Sequence, residues 1–127
     1  MLLYYIMGQI QYLLGAIVLI VLDGIYLNII KQYFNKQIKA VQGNDIKVNF
    51  MAAILTYVFL IFGLNYFIIR KRLPVKDAML FGLVIYATYE LTSMALLKNW
   101  SWITVILDTS WGSILFGLTT AIVYKLT

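Results

Sequence analysis

Apolar residues run through this chain in long unbroken blocks rather than in alternation, and four of the blocks are long enough to cross a bilayer. At ~1.5 Å of rise per residue, about 20 apolar residues span the hydrocarbon core. The blocks cover about residues 5–30, 48–69, 77–97 and 102–124. Lipid offers the backbone no hydrogen bonds, which leaves helices or a closed barrel. Barrel strands alternate apolar and polar side chains, and these blocks do not. The pattern therefore predicts an all-α fold: a polytopic membrane protein, a four-transmembrane-helix bundle forming one integral membrane domain over residues 1–127.

Polar punctuation refines the elements. After the first block, Tyr33, Phe34, Ile38 and Val41 recur at helical spacing among Lys31, Lys36 and Lys39. That predicts an amphipathic extension after helix 1, lying at the headgroup level, with a partner-binding helix as the sharper reading. Gly43-Asn44-Asp45 supplies a helix stop and then a cap for the next helix. The second block ends in Arg70-Lys71-Arg72, and Pro74 suits the first turn of the third helix. Asn99 or Ser101 is expected to cap the fourth. In that last helix Thr109, Ser113, Gly117 and Ala121 form a strict i, i+4 stripe of small residues, the kind that lets backbones approach in lipid. The stripe is read as a helix-packing face, within the bundle or in a dimer. Gly8, Gly15, Ala16 and Gly63 are expected to pack similarly, while most tyrosines and tryptophans anchor at the interfaces.

Composition narrows the chemistry. Apolar residues make up 63% of the chain and charged ones 12%, far from the balance of a soluble domain. There is no cysteine and no histidine, so thiolate metal sites, disulfides and the usual general base are all excluded. No cofactor motif is present. The net charge of +5 lies in loops flanking the spans, which suits anionic headgroups and topology rather than nucleic acid. The loop-side counts tie, with Lys31, Lys36, Lys39, Lys47 and Lys98 against Arg70, Lys71, Arg72, Lys76 and Lys125. Charge therefore gives the bundle no preferred orientation. The first block has no basic region before it and no small-residue cleavage motif after it, so it is expected to remain as a span.

The candidate chemistry is a set of acids inside the spans. Glu90 and Asp108 each lie nine residues from Asn99, on opposite sides of a short turn. In an antiparallel helix pair, equal distance from the turn means equal depth. Asp23 lies eight residues before Lys31, on the same side of the membrane. All three acids thus fall at one level, ~12 Å below the loops. The same count into the second helix reaches Thr56 and Tyr57. Helical spacing gives Asp23 the neighbour Tyr26, Glu90 the neighbours Tyr86 and Ser93, and Asp108 the neighbours Thr104, Trp111 and Gly112, with Tyr89 and Thr92 on an adjoining face. No lysine or arginine occurs at that depth. Three such carboxylates cannot all stay ionised in a low dielectric; they share protons, hold a hard cation as a metal site of Asp23, Glu90 and Asp108, or line a wet vestibule.

At these residues the chain resembles the small predicted membrane proteins grouped as domain of unknown function two-one-seven-seven. The family pattern has an early D-x-x-W-L, a later Y-x-x-Y-D-L-T-N followed by an alanine, a basic residue and a tryptophan, and a final D-x-x-W-G. Here the matching residues are Asp23-Gly-Ile-Tyr26-Leu27, then Tyr86-Ala-Thr-Tyr89-Glu90-Leu91-Thr92-Ser93 with Ala95, Lys98 and Trp100, then Asp108-Thr-Ser-Trp111-Gly112. Tyr26 replaces Trp, Glu90 replaces Asp, and Ser93 replaces Asn. The resemblance implies four helices and singles out the same three acids, with no activity attached.

Three functional readings follow. The first is a small membrane protein whose acidic layer binds protons or a cation, for permeation or for coupling to a partner. The second is a structural or assembly component packing through the fourth helix, in a cellular or viral membrane. The third, weaker one is a lipid-modifying enzyme or its membrane accessory; no catalytic residues stand out, since the serines have no nearby His or Lys base. Expected partners are the bilayer and either a second copy or another membrane protein.

Overall fold

The computed structural model describes residues 1–127 as helices and short connections, with no strand. Helix α1 spans Leu2–Gln42, α2 Phe50–Leu64, α3 Val75–Leu96 and α4 Trp102–Leu126. A π-helical turn, Asn65–Ile69, continues α2 to its end. All four elements are long and apolar enough to span a membrane, α2 when taken together with its π turn. Only 21 of the 127 residues are buried, and the outer faces carry Leu, Ile, Phe and Met. That inverts the dressing of a soluble domain, so lipid covers these faces.

The helix ends follow local chemistry. α1 runs without a break through its basic extension and stops at Gly43, whose φ of 82° takes the left-handed conformation that glycine favours. The Gly43 N–H closes the end on the Lys39 carbonyl at 2.8 Å. The cap of α2 is Asn49, not the Asn44-Asp45 pair expected to supply it; its side chain accepts from the Ala52 N–H at 3.1 Å. Asp45 instead folds back on α1, accepting from Asn35 at 3.3 Å and pairing with Lys39 at 3.8 Å. Pro74 sits one position earlier than expected, at the N-cap of α3. Of the two candidates for α4, Ser101 is the cap, accepting from the Ile103 N–H at 3.1 Å. Asn99 takes a left-handed turn position with φ 64°.

α3 and α4 form a tight antiparallel hairpin, and α4 lies at the centre of the bundle, with α1 against its other side. The hairpin closes where Gly82 meets Gly112: a Cβ on Gly82 would overlap the Gly112 backbone. One turn away, the Tyr86 ring occupies the space that a side chain at Gly112 would need. In the small-residue stripe, Gly117 packs against Met79, and a Cβ there would lie 2.5 Å from the Met79 Cγ. Its close approach is therefore made inside the chain. Gly15 faces the Asn65 side chain, Gly63 faces Phe81, and Gly8 has open space. The core between the helices is built from Leu19, Leu64, Ile68, Ile69, Ala78, Leu115, Phe116 and Val123.

Candidate acidic site within the membrane

Asp23 is buried on the inner face of α1, where two donors from other helices reach it. The Trp111 indole N–H of α4 donates to Oδ1 at 2.9 Å, and the Tyr57 hydroxyl of α2 donates to Oδ2. Both carboxylate oxygens are thereby partnered, as burial demands. One turn along α1, Tyr26 stacks flat on Trp111, with centroids 4.5 Å apart and planes 3° from parallel. Its hydroxyl donates to Asp108 Oδ1 at 3.4 Å. Tyr26, standing where the family pattern has Trp, is thus both a stacking platform and a donor.

Glu90 is fully buried, at 0% exposure, on the α3 face that meets α4. The Trp100 indole N–H reaches back from the turn to Oε1 at 3.0 Å. Oε2 has no donor in the protein, and the Glu90 carboxyl lies beside that of Asp108. The carboxyls are therefore treated differently by their surroundings. Asp23 is saturated by an indole and a phenol, while Glu90 and Asp108 face each other with one oxygen unsatisfied. Lysines and arginines all lie outside this layer, and no three acids group closely enough to hold a metal ion together.

The remaining expected residues separate into inner and outer sets. Tyr86 is half-buried beside Asp23 and Asp108, with its ring over Gly112. Tyr89 is 62% exposed and Thr92 also faces outward, so neither enters the layer. Ser93 is half-buried but makes no hydrogen bond to an acid. Thr56 faces lipid and bonds to its own Ala52 carbonyl at 2.9 Å, which leaves Tyr57 as the polar contribution of α2. Of the stripe residues, Thr109 has a buried hydroxyl without a partner, and Ser113 and Ala121 are half-buried.

Two participants were not placed at the site by the sequence, although the family pattern includes the first of them. Trp100 is one, since its link to Glu90 depends on a side chain reaching back over the turn. Gln37 is the other. Buried on the α1 extension, it donates to the Asn99 carbonyl at 2.9 Å and accepts from the Thr104 hydroxyl at 2.6 Å and the Ser101 N–H at 3.1 Å. Tyr33 adds a hydrogen bond to Thr104 at 2.9 Å, and Asn99 donates to the Ala40 carbonyl at 3.1 Å. The extension is clamped to the α3–α4 turn above the acids. A signal existed: Gln37 lies four residues from both Tyr33 and Val41, on the face that carries them.

Fold and site together define a small integral membrane protein of four helices with carboxyl groups in its interior. A family model described as "Predicted membrane protein (DUF2177)" matches residues 8–125, and the chain belongs to that family. The match takes in all four helices. Comparison with curated proteins and with solved structures finds no match for it.

Proposed function

We propose that this protein binds and exchanges a proton at the Glu90–Asp108 pair, either to pass it across the membrane or to couple it to a partner. The observation behind this reading is the Glu90 carboxyl, fully buried beside a second acid, with Oε2 lacking any protein donor. Two adjoining carboxylates in a low-dielectric bundle without a basic partner cannot both carry charge. One proton held between them satisfies the orphaned oxygen and removes one charge together. A hard cation is disfavoured, because such ions take six or more oxygens and no third acid joins the pair.

Asp23 supports a different role. Its two donors tie α1, α2 and α4 at one level, which is the work of a staple that fixes helix register. The acidic layer is thus a proton-holding pair beside a saturated anchor.

The test is infrared spectroscopy and flux on reconstituted protein. A protonated-carboxyl band is expected in the wild type and lost in Glu90→Gln, with Asp108→Asn perturbing it equally. A spectrum without such a band would sink the reading. In vesicles, a pH gradient should drive proton uptake that both amide variants abolish. Wild-type uptake no faster than in protein-free vesicles would leave only coupling to a partner.

A further inference from the structure

At the opposite end of the bundle from the α3–α4 turn, the first half of α1 and the end of α2 diverge around a groove of about 1000 Å³. Its walls are apolar along Leu13, Ala16 and Ile61, and its floor carries Gln11 and the buried amide of Asn65. Two arginines also line it. Arg70 lies over the Tyr66 ring, 4.2 Å from the centroid, and Arg72 over the Tyr124 ring at 4.7 Å. Neither arginine has a carboxylate partner, and no acid borders the groove. None of the acids described above lies within it.

The local backbone is shaped for this. The π turn at Asn65–Ile69 shifts the register of the final turn, so that the Arg70 N–H bonds to the Asn65 carbonyl at 2.8 Å. Such single π turns often coincide with functional sites. Arg72 adopts φ 48°, a left-handed conformation that non-glycine residues hold only where surroundings enforce it. The closing turn of the helix holds it here: the Arg72 N–H bonds to the Ile69 carbonyl at 2.9 Å and the Leu73 N–H to the Ile68 carbonyl at 3.1 Å, and the Tyr124 hydroxyl donates to the Leu73 carbonyl at 2.7 Å, tying the loop to α4.

We propose that this groove holds one phospholipid of the adjoining leaflet, with its anionic phosphate between Arg70 and Arg72 and an acyl chain along Leu13, Ala16 and Ile61. Three features argue for that occupant. Two unpaired guanidiniums, pre-oriented on aromatic rings, present the planar donors that match phosphate oxygens. The volume is at the upper end of small-molecule sites and suits an extended chain. The groove opens at headgroup level, beside a run of basic residues, as lipid-binding pockets between helices do. The site stands apart from the Glu90–Asp108 pair, so each proposal can fail without the other.

The full-length protein in detergent, mixed with phosphatidylglycerol or phosphatidylcholine and examined by native mass spectrometry, provides the test. A single phosphatidylglycerol is expected to survive detergent stripping, with phosphatidylcholine retained at least about tenfold less, because its choline ammonium is repelled by the guanidiniums that hold the phosphate. Arg70→Gln and Arg72→Gln should each erase most of that preference. Gly8→Phe should also displace the lipid, because Gly8 borders the groove with open space at its Cβ position. Lys76→Gln and Lys125→Gln, on the same side but outside the groove, should change nothing. Equal loss in these lysine variants would overturn the site in favour of general surface charge. Equal retention of both lipids, or full retention in Gly8→Phe, would overturn it outright. So would a wild-type dimer, free of lipid, that Gly8→Phe dissociates, since a second copy would then be the occupant.

Discussion

At the scale of residues, the buried acids of the bundle take their hydrogen bonds from indole and phenol donors. Trp111 and Tyr57 serve Asp23, and Trp100 serves Glu90. Aromatic donors suit this position because each brings one N–H or O–H on a large apolar body. Removing one should therefore cost more than the contact alone, because a buried oxygen is left behind. Trp100→Phe strips Glu90 of its only protein donor and is expected to destabilise the folded protein by about 1–3 kcal/mol, read by reversible unfolding in mixed micelles. Adding Glu90→Gln to it should cost much less than the sum of the two single changes. Strict additivity would mean that the indole and the carboxyl do not act on each other. The level of Asp23, Glu90 and Asp108 could be counted from the loops because helical rise is constant. Their donors could not, since Trp100 reaches Glu90 across a turn by rotamer and backbone path. The outward Tyr89 shows the same limit from the other side: one residue from Glu90 in sequence, it is rotated by ~100° around the helix.

At the scale of elements, two joints hold the spans together, and they have different chemistry. The α3–α4 joint is steric: at Gly82 and Gly112 no side chain fits between the helices. Gly82→Ala and Gly112→Ala should each destabilise by about 1–3 kcal/mol, as overpacking does, whereas Gly8→Ala, helical and with open space around it, should stabilise by up to about 1 kcal/mol. A Gly82→Ala protein as stable as the wild type would show that the hairpin can open without loss. The joint between the α1 extension and the turn is polar and centred on Gln37, which serves Ser101, Thr104 and Asn99 at once. Gln37→Leu leaves those groups without their partner. Hydrogen exchange should then quicken at residues 33–42 and 98–101, with the transmembrane parts of α3 and α4 still protected. Uniformly quickened exchange would instead make Gln37 part of the global fold. The helices themselves were legible because their apolar blocks and stops are written locally. Which glycines meet was not, since it depends on how each helix is rotated about its axis.

At the scale of the whole molecule, the two ends of the bundle are chemically unlike but electrically alike. One end carries the clamped α1 extension and lies nearer the acids; the other carries Arg70 and Arg72 over their aromatic rings. Yet five lysines and arginines flank each side, and the structure keeps the two sets at opposite ends because α1 ends with the α3–α4 turn. Orientation in membranes follows the difference in basic residues near the span ends, and here that difference is zero. The chain is therefore expected to insert in both orientations. Because it has no cysteine, single cysteines at Asn44 and Leu2, both exposed and uncharged, report each end without background and without altering the charge count. An impermeant thiol reagent applied to intact cells should label part of each population. Replacing Arg70, Lys71 and Arg72 by Gln leaves two basic residues at that end against five at the other. The Asn44 position should then become wholly protected from outside. A wild-type protein labelled at one end only would show that something other than flanking charge orients the bundle, with the clamped extension the first feature to test by Gln37→Leu.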